Sequence, residues 1–295
     1  MLIKNTTHSI LYFLKCMRMD IIFIVVYALI MGTVDHNTFL KNIAIPLPVT
    51  TITGTVVALL LAFRTAQSYD RWWEARKVWG EIVNDSRTIT RQFKQFLPAA
   101  DASAELALFA ERQIIWCHAL SETLRLQPFS AKVQLYLDSN AIQSNNVPAG
   151  LLDRHSEQLA AVSQKFALND NKQVQIDTTL ARLNDAMGKC ERIKNTVFPK
   201  SYSLLIHFLI YCLASILPFG LDDTFPLLEI FLTMIIPLML IAVEQTAIIM
   251  QNPFENQPTD IPMTRLSDVI EMNINEIVSG EKIVAVSGNE SYYIN

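Results

Sequence analysis

Four stretches of this chain carry no charged residue, two near each end. Residues 21–34 lie between Asp20 and Asp35, and residues 42–63 between Lys41 and Arg64. Residues 201–221 lie between Lys200 and Asp222, and residues 230–243 between Glu229 and Glu244. The second and third are long enough to cross a hydrocarbon core of about 30 Å. The first and fourth, at 14 residues each, are short on their own. Each adjoins a long run through a brief polar turn, and that pairing predicts two helical hairpins, hence four transmembrane helices. The first apolar run begins late and has no small-residue cleavage site after it, so no secretory signal is expected.

Between the hairpins, residues 64–200 read as helices broken by prolines. No proline occurs between Pro48 and Pro98, and the second apolar run continues directly into QSYDRWWEARKVWGEIVNDSRTITRQF. One helix is predicted to leave the membrane near Arg64 and run on for about 50 Å at 1.5 Å per residue. Asp101 and Ser103 are candidate N-caps of a second helix that stops before Pro128. Further helices are expected at about 129–139, 150–166 and 172–196, the last ended by Pro199. Alternating strand patterns, glycine-rich loops and internal repeats are lacking, and the tail beyond about residue 277 is expected to be disordered. The fold class is all-α, an integral membrane protein with a helical cytosolic portion. Its parts are an N-terminal segment and first hairpin (1–63), a cytosolic region (64–200), a second hairpin (201–250) and a C-terminal segment (251–295).

Composition agrees with partial residence in lipid: 51% of the 295 residues are hydrophobic and only 18% charged, below the ~25% of soluble domains. A net charge of −4 gives no general attraction to nucleic acid. With residues 35–41 and 222–224 facing outward, those turns hold one basic residue, Lys41, and the other 23 of the 24 Lys and Arg lie elsewhere. That bias predicts cytoplasmic N- and C-termini and residence in the bacterial inner membrane.

Enzyme chemistry finds no constellation. The five histidines show no metal-binding spacing, and GxSxG, Walker A and GxGxxG are missing. The four cysteines lack CxxC spacing, which argues against a zinc site or disulfide framework and fits a reducing interior. Cys117 and His118 are neighbours, but adjacent helical residues point about 100° apart and do not readily share a proton. No cofactor or metal is expected. Two groups in apolar surroundings stand out, His207 and Glu244, since a carboxylate within a span usually means a partner or a cavity. For Glu244 the cytoplasmic end of the fourth span is the other reading.

The segment 51–66 is patterned. Thr51, Thr55, Leu59 and Phe63 share one helix face, and Ala58, Ala62 and Ala66 form a small-residue row beside it. Small residues allow close helix approach in lipid. A large apolar face next to a small one suits a ring of identical helices around an axis; ordinary packing inside one bundle accounts for the same spacing. Trp72 and Trp73 follow where an aromatic belt is expected.

From here the strings become specific. AFR ending at Arg64, YDRWWEARKVWG, RLND, CERI, LPFG and NPFENQPTDIP, in this order between about residues 54 and 262, resemble the bestrophin family and most closely its bacterial branch. The resemblance implies a homopentamer around a central pore that passes ions passively. It places a narrow hydrophobic neck at Thr55, Leu59 and Phe63, although the family usually has bulky apolar residues at all three. The cytosolic aperture falls on Val174, with Ile176 as the alternative. Eukaryotic members bind calcium after the NPF string; here only Glu255 and Asp260 supply carboxylates, so Asn252 and Asp260 are expected to be a degenerate remnant without metal. An apolar neck gates by dewetting. Asp222 and Asp223 lie near the outer mouth, where acidic rings concentrate cations, whereas chloride-type anion conduction is the family default. Both signs stay open on sequence, as does a non-conducting membrane scaffold or sensor. Expected partners are further copies of the chain, membrane lipid and monovalent ions.

Overall fold

A computed structural model describes residues 6–37, 45–98, 102–196, 199–221 and 226–282. Ten α-helices and one 3-10 turn account for most of these residues, and no strand occurs among them. The helices are α1 (Thr6–Cys16), α2 (Arg18–Asn37), α3 (Leu47–Phe96), α4 (Ser103–Leu124) and α5 (Ala131–Ser139). They continue as α6 (Val147–Lys165), α7 (Asp170–Asn195), α8 (Lys200–Ile216), α9 (Pro226–Gln251) and α10 (Met263–Ser279). The described residues form two compact units, one from those up to 72 with those of 199–252, the other from those of 73–196 with 253–282.

The first unit holds the apolar helices. Met17 and Ile24 pack with Val57 and Leu61 of α3, Ile206 and Ile210 of α8, and Ile241 of α9. Two helices among the described residues are long and apolar enough to cross a membrane, α3 and α9, and α8 holds a shorter apolar stretch, Ser201–Ile216. The glycine of LPFG has a steric reason. A Cβ on Gly220 would lie 3.2 Å from two atoms of the Thr50 side chain. The backbone beside it is also tied down, as Ile45 N–H donates to Phe219 O at 2.8 Å.

The proline-free run predicted as one helix is one helix: α3 spans 50 residues, about 75 Å at 1.5 Å per residue. Within the second unit its later part is locked to α7 by three ion pairs, Glu74–Arg192, Glu81–Lys189 and Asp85–Arg182, at 2.9–3.0 Å. Phe93 of α3 stacks on Phe109 of α4 at 4.1 Å between ring centroids. Trp79, Phe93, Phe109 and Trp116 are fully buried there.

Several boundaries differ from expectation for physical reasons. The fourth apolar run was bounded at Glu244, yet α9 continues to Gln251, because the carboxylate is paired inside the unit instead of emerging into water. The helix after Pro98 is capped by Ala102, with Ser103 as its first residue, and Asp101 lies outside the described residues. Asn146 caps α6 by accepting from Ala149 N–H, and Pro148 occupies its first turn, so this helix begins three residues earlier than expected. Helix α10 was not anticipated. It buries Met263, Ser267, Ile270 and Ile274 on one face and ends at Gly280, whose φ of 76° suits glycine. The tail beyond residue 282 lies outside the described residues.

Candidate functional site

The stripe read from spacing is a real surface. Along α3, Val57, Leu61, Arg64 and Ser68 are buried, at 1–2% exposure. The opposite face leaves Thr51, Thr55, Ala58, Ala62 and Ala66 exposed, with Leu59 at 55% and Phe63 at 57%. Thr55 is less polar here than its residue type suggests: its hydroxyl donates to Thr51 O at 2.8 Å, as Thr51 does to Leu47 O at 2.9 Å. With the donor used on the preceding turn, hydrogen-bonding demand at this end of the stripe is lowered.

Behind that face lies a feature that sequence reasoning did not assemble. Arg64, next to Phe63 but turned inward, reaches Glu244 of α9: Nη1 to Oε1 is 2.5 Å, with both side chains at most 1% exposed. The same oxygen lies 2.8 Å from His207 Nδ1 on α8, while Glu244 Oε2 has no hydrogen-bond partner. One turn along α8 from His207, Tyr211 donates to Asp20 Oδ1 of α2 at 3.4 Å. His207 keeps 31% of its side chain exposed and lines an open depression of about 520 Å³ with Ser203, Leu204, Phe208 and Tyr211. Sequence had singled out His207 and Glu244 separately. The signal that pairs them is that Arg64 and Glu244 are opposite charges at the edges of apolar runs, where an unpaired charge is costly.

The remaining candidates are scattered. Val174, in the first turns of α7, is 62% exposed, whereas Ile176 is fully buried in the second unit and presents no surface to an aperture. Asp222 and Asp223 lie outside the described residues. Asn252 and Asp260 fall in different units. Asp260 is 2% exposed; its Oδ2 accepts from Glu255 N–H at 2.7 Å and Gln257 N–H at 3.0 Å, and its Oδ1 has no partner. Burial pushes its carboxyl up to about 6, against the pull of those two amides. These donors do not fit calcium, which takes six to eight oxygens: one buried carboxylate is half committed to the backbone, and Glu255 is exposed.

Two other clusters lie in the second unit. Cys117 is fully buried, 3.7 Å from Ser86 Oγ, and burial raises its thiol to about 12. His118 points elsewhere, with Nε2 3.0 Å from Glu271 Oε2. His118, Asp268 and Glu271 bring ligand atoms within 4.8 Å of one another. Lys132 Nζ, 2.5 Å from Glu271 Oε2, already supplies positive charge there. The hydrogen bond from His118, with Lys132 beside it, holds the Glu271 carboxyl down at about 2.

Comparison with known proteins is consistent with a membrane channel. Residues 12–276 match the family described as Bacterial/Fungal Bestrophin protein. The chain is 30% identical over 229 residues to a voltage-dependent anion channel-forming protein of Ralstonia nicotianae, covering 76% of this chain and 75% of that one. It is also 30% identical over 238 residues to the voltage-dependent anion channel-forming protein YneE of Escherichia coli K12, covering 79% and 77%. The crystal structure of a bacterial bestrophin homologue from Klebsiella pneumoniae shares the fold, with a TM-score of 0.79 at 22% identity, over 88% of this chain and 97% of that one.

Proposed function

The chain belongs to the bacterial and fungal bestrophin family, and we propose that it is an anion channel in which five copies surround a central pore. The observation that carries this reading is the exposed stripe on α3, apolar at Leu59 and Phe63 with an alanine row beside it, on a helix whose other face is fully packed. Ringed by symmetry, the alanine row lets neighbouring α3 helices approach closely. Thr55, Leu59 and Phe63 then line a neck that expels water and ions unless it widens. Relatives named as anion channel-forming proteins support the sign of the ion.

In this reading four transmembrane helices per subunit cross the bacterial inner membrane, with both termini cytoplasmic, as the bias of basic residues favours. Monovalent ions pass down their gradients without coupled chemistry. Val174 forms the cytosolic aperture, and Asp222 and Asp223 stand near the outer mouth. The neck carries no charge, so ion sign is decided at the entrances.

The test is reconstitution of purified protein into a planar bilayer with asymmetric KCl. A reversal potential near the chloride equilibrium value is expected. A value near that of potassium would replace the anion reading with a monovalent cation channel of the same architecture. Absence of current at every voltage would leave a non-conducting membrane scaffold in its place.

A further inference from the structure

Three helices of the apolar unit meet at one atom. Glu244 Oε1 of α9 receives Arg64 of α3 at 2.5 Å and His207 of α8 at 2.8 Å, and the other carboxylate oxygen has no partner. Arg64 and Glu244 are shut off from solvent, at 1% and 0% exposure, while His207 stays reachable at 31%. Arg64 directly follows Phe63, and successive helical residues point about 100° apart. A guanidinium held inward at position 64 therefore fixes the rotation at which Phe63, and Leu59 one turn earlier, face outward.

We propose that Glu244 and His207 are positioning residues for the constriction: Glu244 sets the rotation of α3 through Arg64, and a proton on His207 loosens that hold. The proposal rests on the channel reading above. The arginine charge is permanent, so with neutral His207 one carboxylate balances one cation. A proton on His207 gives Glu244 a second cation to serve through the same oxygen, and the share left to Arg64 falls. The charged and titratable groups facing His207 are Glu244 from α9, Arg64 from α3 and Asp20 from α2, the last through Tyr211 on its own helix. Weaker anchoring of Arg64 lets α3 turn and the Leu59 and Phe63 rings widen, so protons promote opening from a residue outside the neck.

The test is single-channel recording of the reconstituted full chain between pH 8 and pH 5.5, comparing the natural protein with His207→Gln and Glu244→Asp. Glutamine retains an N–H for Glu244 Oε1 but does not titrate; aspartate keeps the charge and withdraws it by one methylene. Open probability of the natural protein is expected to rise at least about threefold on acidification. His207→Gln should give a flat profile, and Glu244→Asp a higher open probability already at pH 8. A purely structural role would leave the pH profile of His207→Gln unchanged. That result, or a pH-independent natural channel, or closure by acid, overturns the proposal while leaving the channel reading intact. Absence of current in the natural protein at all pH values overturns both.

Discussion

Glu244 and His155 are buried for opposite reasons, and each gives a prediction. Glu244 is tolerated at 0% exposure because Arg64 neutralises it. Removing one partner of a buried pair leaves an uncompensated charge, at a cost of about 3–5 kcal/mol, whereas an apolar pair of similar volume is often neutral. Arg64→Met or Glu244→Leu alone should therefore lower the thermal midpoint in detergent sharply, and the double variant should recover most of the loss. Additive single effects would contradict the pairing. His155 of α6 is fully buried against Phe109, 4.1 Å between ring centroids, with neither ring nitrogen hydrogen-bonded. Burial, with Arg112 adding to it, depresses its pKa well below 6.5. The unfolded chain takes up a proton below pH 6.5 that the native state refuses, so stability falls as pH drops from there towards the native pKa. His155→Leu should flatten the acid side of the midpoint-versus-pH curve between pH 6.5 and 5. An unchanged slope would place the acid sensitivity elsewhere.

At the scale of elements, the turn from α9 into α10 is where metal regulation would act. Asp260 spends one oxygen on the amides of Glu255 and Gln257, which makes it a brace for that turn. Currents should accordingly be the same in chelator and in micromolar calcium; a calcium-dependent rise with a midpoint in that range would mean that the turn rearranges into a cage. The elements themselves were legible in unequal measure. Helix α3 was readable because nothing between Pro48 and Pro98 can stop a helix, and α5, α6 and α7 came within a few residues because prolines and caps punctuate them. Helix α9 reads too short on sequence because Glu244 marks a charge at the edge of the apolar run, whereas a distant arginine brings that charge inside. Helix α10 was missed although Met263, Ser267, Ile270 and Ile274 keep helical spacing; its apolar face is narrow and polar residues interrupt it. The stripe on α3 followed from period alone. The Arg64–Glu244–His207 cluster did not, since 180 residues separate its two charges and only the fold brings them together.

For the whole molecule, the question is what covers the stripe of α3. In one protomer Leu59 and Phe63 are more than half exposed, so shortening both to alanine removes no core of the subunit. If they line the narrow neck of a ring of five, the truncation enlarges two constrictions and lowers the dewetting barrier. The Ala58, Ala62 and Ala66 row would still hold the helices together. The Leu59→Ala/Phe63→Ala protein should then keep a detergent mass of about five 33.4 kDa chains, with higher conductance or open probability than the natural one. If the same side chains instead pack against neighbouring subunits, each truncation opens a cavity costing about 2–5 kcal/mol, multiplied by the symmetry, and the assembly should fall to smaller species. Val174→Ala serves as the comparison. At 62% exposure in the other unit it also frees no core volume, and as an aperture it should change ion preference or rectification more than gating. The two substitutions thus act on separate properties of one conduction path, and a pore predicts both signatures. Dissociation of the Leu59→Ala/Phe63→Ala protein with no gain of current, beside an unaltered Val174→Ala, would show that the α3 stripe is an interface and that the ions, if they cross at all, cross elsewhere.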